Sequence, residues 1–124
     1  MRIGADYYPE HWEKERWKTD AEMMVKANIK VIRIGEFAWS LYEPEEGKYE
    51  FDWMDEALDF FGKYGIKVVM CTPSATPPKW MIDKYPDILQ NDIHGNPKLF
   101  GTRKHYCFNS ETYREKTKKL SINW

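Results

Sequence analysis

Apolar positions along the chain change period several times, and each change marks an element. Ile3-Gly4-Ala5-Asp6-Tyr7-Tyr8 reads as a short strand closed by Pro9, with Pro9-Glu10-His11-Trp12 as the loop that follows. From about Glu13, apolar residues recur at near helical spacing (Trp17, Ala21, Met24, Ala27), which predicts an amphipathic helix. Asn28 suits a left-handed stop, and a second strand runs from Lys30 to Ile34. Gly35 to Phe51 reads as a loop with Glu43-Pro44-Glu45-Glu46-Gly47 as its turn. Asp52 reads as an N-cap, and Met54, Ala57, Leu58 and Phe61 form a second apolar stripe that ends at Gly65. Ile66-Lys67-Val68-Val69-Met70-Cys71 is almost wholly apolar, as in a strand buried on both faces.

The helix-to-strand join repeats. Asn28-Ile29-Lys30-Val31-Ile32 and Gly65-Ile66-Lys67-Val68-Val69 share one layout: left-handed cap, apolar residue, lysine, β-branched run. Alternating strands and helices with such joins predict right-handed βαβ units and a parallel sheet. Thr72 to Asn109 is dense in Pro, Gly and aromatics, with a short helix predicted over Pro78 to Lys84 and a turn at His94-Gly95-Asn96-Pro97. A loop of that length points to function. Ser110 then caps a third helix, Glu111 to about Leu120, and Ser121-Ile122-Asn123-Trp124 falls where a fourth strand is expected.

The fold class is therefore α/β: a partial TIM (β/α)8 barrel holding about the first three βα units, with parallel strands. A complete barrel takes roughly 250 residues, about 31 per unit, so 124 residues form an open arc. Unpaired strand edges lead to the expectation that residues 1–124 are one N-terminal segment of a larger catalytic domain, or a chain that associates.

Charge and composition narrow the partners. Nineteen Lys and Arg against 20 Asp and Glu give a net charge of -1, with no basic stripe of the kind nucleic acids or anionic membranes attract. No apolar run reaches membrane-spanning length, and no apolar leader follows Met1, so the expected location is cytoplasmic. Two cysteines, Cys71 and Cys107, make no disulfide framework. Aromatics at 16% leave two readings open, a large core or flat surfaces for sugar rings.

Within the second strand, Arg33 demands an anion, because an unpaired buried charge is costly. Ligands of parallel α/β folds sit beyond the carboxyl ends of the strands. Those ends carry Asp6, Tyr7, Tyr8 and Glu10, then Arg33, Glu36, Phe37 and Trp39, then Thr72 and the long loop with Arg103, His105, Cys107 and Asn109. Carboxylates, guanidinium, amide and aromatics together fit carbohydrate better than phosphate, and no Gly-rich phosphate loop, HExxH, CxxC or GxSxG occurs.

Four stretches carry a family likeness: Gly4-Ala5-Asp6-Tyr7-Tyr8-Pro9-Glu10-His11-Trp12, Arg33-Ile34-Gly35-Glu36-Phe37-Ala38-Trp39-Ser40, Thr76-Pro77-Pro78-Lys79-Trp80 and Arg103-Lys104-His105-Tyr106-Cys107-Phe108-Asn109-Ser110. In order and content they closely resemble the start of glycoside hydrolase family 42 β-galactosidases. The resemblance implies a TIM-barrel retaining glycosidase that removes terminal non-reducing β-D-galactose through two glutamates, acid/base and nucleophile. In the family those glutamates follow the fourth and seventh strands, so neither is expected in this chain, which alone is expected to be inactive. The substrate is a β-galactoside or oligosaccharide, and homo-oligomers are part of the resemblance. The rival reading is a truncated, non-catalytic half-barrel that persists as an associating or carbohydrate-binding remnant.

The resemblance also assigns roles. Arg103 matches the arginine that hydrogen-bonds galactose hydroxyls; the plainer alternative is a solvent-facing arginine beside Lys98 and Lys104. Arg33 matches an arginine beneath the site that holds the nucleophile carboxylate; the alternative is an interior arginine satisfied by Glu36, Asp6 or backbone. Glu36 is taken as rim scaffolding rather than as half of an acid/base pair with Glu10, and Asn109 as steadying the loop before Ser110. Cys107 matches a ligand of a structural zinc found in some members, which needs further cysteines downstream because zinc takes four ligands. No other cofactor is implied. Trp12, Trp39 and Trp80 are either sugar platforms or packing.

Overall fold

The computed structural model describes residues 3–102 and 104–123. Along the chain lie β1 (Ile3–Asp6), α1 (Lys14–Lys26), β2 (Ile29–Ile34), α2 (Trp39–Tyr42), α3 (Asp52–Lys63), β3 (Lys67–Met70), α4 (Lys79–Lys84) and α5 (Glu111–Asn123), with single 3₁₀ turns at Pro9–His11 and Pro86–Ile88. They group into two compact units, one made of residues 1–36 and 51–71, the other of 37–50 and 72–124.

In the first unit the three strands pair in parallel in the order β1-β2-β3, as the repeated joins require. Both joins turn through left-handed residues, Asn28 at φ 58° and Gly65 at φ 70°. Register sets Asp6 beside Arg33 and Arg33 beside Val69. The core comprises Trp17 and Ala21 of α1, Ile32 and Ile34 of β2, Met54, Ala57 and Phe61 of α3, and Ile66. Tyr7 packs edge-on against Phe61 at 5.3 Å, and the buried Trp17 indole N–H donates to the Pro9 carbonyl at 3.0 Å.

The second unit has an aromatic and polar core. Tyr106 stacks on Tyr113 of α5 at 4.4 Å, and Trp39, Tyr42, Met81, Ile88 and Leu120 are buried. The buried Glu43 carboxylate accepts Trp39 Nε1–H and the Gly47 backbone N–H, both at 2.9 Å, while its carbonyl accepts Trp80 Nε1–H at 2.8 Å. Glu46 collects Lys84, Lys116 and the Tyr85 hydroxyl. Their donors hold its carboxyl at about 2, Lys116 having the largest effect.

Several sequence expectations need correction. Gly35 to Phe51 is not all loop: α2 forms there because Trp39 and Tyr42, three apart, both turn inward. Asp52 is the first residue of α3, and Phe51 holds the cap position; Asp52 and Asp55 in the first turn still suit the positive helix end. Of the first predicted stripe only Trp17 and Ala21 are buried, since Ala27 is already the exposed C-cap. The third strand is not covered on both faces: Val69 is 50% and Met70 38% exposed. The long segment after Thr72 is not structureless. Leu89 bridges Tyr106 and Asn91 bridges Pro97 in antiparallel fashion, while Asp92 Oδ1 accepts the His94 and Asn96 N–H groups at the predicted turn. Residues 121–123 continue α5 instead of opening a strand. There Ser121 and Asn123 donate back to the Thr117 and Lys119 carbonyls, which a helix interior permits.

Candidate functional site

At the carboxyl edge of the sheet in the first unit, a charged cluster is assembled by register and by one glycine. Pairing of Asp6 with Arg33 brings Asp6 Oδ1 to 3.4 Å from Arg33 Nη1. Directly after β2, Gly35 adopts φ 83°, a conformation that costs other residues dearly. This turn returns Glu36 to the strand it has just left, with Glu36 Oε2 at 2.9 Å from the same Nη1. Tyr8 donates its hydroxyl to Glu36 Oε2 at 3.4 Å and stacks on His11 at 5.3 Å.

The electrostatics follow from these contacts. Glu36 foremost, with Asp6 adding, strengthens the hold of Arg33 on its proton. Burial, then the negative charges of Glu36 and Asp6, push the Tyr8 hydroxyl up. Burial also pushes the Cys71 thiol up, with Arg33 opposing. Arg33 is not deeply buried, as the strand pattern implied: its side chain is 40% exposed, because the β2 end opens on an uncovered face. Asp6 and Glu36 are both held through Nη1, and the guanidinium also bonds the Cys71 thiol.

Glu10 is the contrasting carboxyl. Both its oxygens are buried without a partner among the described residues, and burial raises its pKa, offset by its own backbone N–H and by His11. Tyr7 leaves the site altogether: its hydroxyl donates to Asp20 at 2.9 Å, on the α1 side of the sheet.

In the second unit, Phe37, Thr76, Pro77, Pro78, Phe100 and His105 line a cavity of about 490 Å³. His105 is 1% exposed, and its Nδ1–H donates to the Thr102 carbonyl at 2.6 Å. Arg103 lies outside the described residues. Asn109 is exposed, and among the described residues no side-chain hydrogen bond ties it to the loop. The cap it precedes does form: Ser110 Oγ accepts the Tyr113 N–H at 3.2 Å. Cys107 is a half-buried free thiol, and among the described residues no three His, Cys, Asp or Glu side chains are grouped to hold a metal. The residues present therefore do not fit a zinc centre by themselves. Among the described residues of this unit, neither tryptophan offers an open platform, since Trp39 is buried and Trp80 is half-buried and tied to Glu43. In the first unit, Trp12 is exposed but covered on one face by the Arg16 guanidinium at 3.9 Å.

Of the strand-end residues singled out in the sequence, Asp6, Arg33 and Glu36 meet in this cluster.

Three parallel strands joined by helices, with a guanidinium and two carboxylates at their carboxyl edge, define an α/β chain of βα units. The chain belongs to glycoside hydrolase family 42: residues 6–123 match that family's model, described as Beta-galactosidase. It is 50% identical over 120 residues to β-galactosidase BgaH of Haloferax lucentense, covering 97% of this chain and 18% of the relative. It is 53% identical over 118 residues to a β-galactosidase of Thermus thermophilus, covering 95% and 18%. Among solved structures, it matches the β-galactosidase of Halorubrum lacusprofundi with a TM-score of 0.94 at 46% identity, over 99% of this chain and 18% of that one. The chain thus spans about 18% of the length of these relatives. Among the described residues no helix is long and apolar enough to cross a membrane.

Proposed function

We propose that the protein carrying this chain hydrolyses terminal non-reducing β-D-galactose residues with retention, and that these residues build substrate-site wall. The observation that carries this reading is the Arg33–Glu36–Asp6 cluster at the sheet edge, set in a family 42 sequence. A retaining glycosidase needs an acid/base and a nucleophile about 5–5.5 Å apart. On this reading both belong to the part of the relatives' length that this chain does not cover. Arg33 then holds the nucleophile carboxylate in its ionised form, as a nearby cation does. Glu36 and Asp6 fix the guanidinium in place. Arg103 binds galactose hydroxyls through its fork of donors, Asn109 supports its loop, and Cys107 joins a structural zinc only where further cysteines complete the set. The cytoplasm is the proposed location.

Assay of the 124-residue chain on a chromogenic β-galactoside tests the division of labour. Background hydrolysis is expected. Turnover well above background that disappears in Glu36→Gln places a catalytic carboxylate in this chain and overturns the reading.

A further inference from the structure

Glu10 is an acid with nowhere to place a charge. Both of its carboxyl oxygens are buried and have no hydrogen-bond partner among the described residues. An ionised carboxylate in that setting is very costly, so the group keeps its proton instead. Glu43 makes the contrast, since its buried carboxylate accepts two N–H groups. The turn that carries Glu10 is small. Pro9–His11 is a single 3₁₀ turn, closed by the His11 N–H on the Tyr8 carbonyl at 3.0 Å and the Trp12 N–H on the Pro9 carbonyl at 3.2 Å. On its α1 side the buried Trp17 indole holds the Pro9 carbonyl. On its site side Tyr8 stacks on His11 at 5.3 Å and donates to Glu36 Oε2 at 3.4 Å.

The neighbouring groups do not relieve this acid. Burial raises its pKa more than its own backbone N–H and the His11 charge on the same turn lower it. At the end of β1, Tyr7 faces Glu10, and its own proton is held tightly, by burial first and then by Asp20, with Arg16 of α1 opposing. A charge on Glu10 must therefore reach water, and a turn of three residues closed by two backbone bonds is what gives way. We infer that Glu10 is a pH-sensitive latch: protonated, it stays buried and the Pro9–His11 turn holds Tyr8 against Glu36; ionised, it swings out to water and Tyr8 leaves the Arg33–Glu36–Asp6 cluster. The proton goes to solvent, and no other bond is made or broken. The sign follows from linkage. The folded chain holds this proton more tightly than the unfolded one, so the closed turn is fully favoured below the unfolded value of about 4.3 and loses that support as pH rises through the folded value. This latch stands apart from the glycosidase reading, since its test reads titration and exchange and not hydrolysis.

The test is a pH titration of the 124-residue chain by NMR, following the Glu10 side-chain carboxyl carbon, the Tyr8 ring signals and the exchange of the His11 and Trp12 amide protons that close the turn. Glu10 is expected to titrate with a midpoint above about 4.3, and the Tyr8 ring is expected to shift with the same midpoint. In Glu10→Gln, which keeps the shape and carries no charge, that Tyr8 step should vanish. At one pH the two amides should exchange faster in the wild type than in Glu10→Gln, by up to about tenfold for each pH unit between about 4.3 and the Glu10 midpoint. A Glu10 midpoint at or below about 4.3 overturns the inference, as does a Tyr8 ring that ignores the Glu10 step. Because His11 also touches Tyr8, a Tyr8 step that survives in Glu10→Gln belongs to His11 and overturns it too. The wild-type titration alone decides the first two outcomes should Glu10→Gln fail to fold.

Discussion

Glu43 offers the sharpest stability prediction. Its carboxylate is buried and accepts Trp39 Nε1–H and the Gly47 N–H, both at 2.9 Å. Replacement by leucine keeps the volume and removes both acceptors. Gly47 is exposed and can turn to water, but Trp39 is fully buried and cannot. Leaving that indole N–H unsatisfied costs about 1–3 kcal/mol, and loss of the charge-assisted bonds raises the expected total for Glu43→Leu to about 2–4 kcal/mol. That is a large part of the ~5–15 kcal/mol typical of a domain. Urea unfolding should show a lower midpoint with an unchanged m-value. Adding Trp39→Phe removes the orphaned donor, so in the Glu43→Leu background it should cost at least about 1 kcal/mol less than in the wild type. Destabilisation below about 0.5 kcal/mol, the level of ordinary surface changes, or strict additivity of the two substitutions would refute the reasoning.

Two further perturbations have definite signs. The Glu46 carboxyl is held at about 2 in the folded chain, against about 4.3 unfolded. It therefore adds stability at neutral pH that fades as pH falls from about 5 to about 2. Glu46→Gln should flatten that part of the unfolding midpoint against pH, and an unchanged slope would contradict the ion-pair account. Gly35→Ala forces a side chain into φ 83° and should cost about 1–2 kcal/mol. It should also shift the Arg33 guanidinium NMR signals by displacing Glu36, and unchanged signals would show that the turn does not set the cluster.

What the sequence made legible was what depends on local chemistry. The Asn28 and Gly65 joins announced parallel βα units because only a few residues adopt that backbone, and both do so here. Arg33 announced an anionic neighbour, and Glu36 and Asp6 supply two. Ser110 announced a cap, and it accepts the Tyr113 N–H. Long-range pairings were not legible. Nothing in the local sequence ties Glu46 to Lys116, 70 residues away, or shows that Tyr7 turns to Asp20 instead of to the site. A single inward pair three apart, Trp39 and Tyr42, is too short a pattern to register as a helix. The exposure of Val69 and Met70 escaped prediction because composition reports what a strand can bury, not what lies against it.

The central claim is that this chain supplies the substrate wall of a family 42 β-galactosidase whose acid and nucleophile lie elsewhere. It is tested most directly by exchange. The segment of the Thermus thermophilus β-galactosidase aligned over 118 residues is replaced by the matching residues of this chain, and hydrolysis of a chromogenic β-galactoside is measured. The account predicts an active chimera whose kcat/KM falls about a hundredfold or more in Arg33→Ala and in Arg103→Ala, the loss expected when a charged contact to the site is removed. A folded chimera without turnover, or one indifferent to both substitutions, would contradict it.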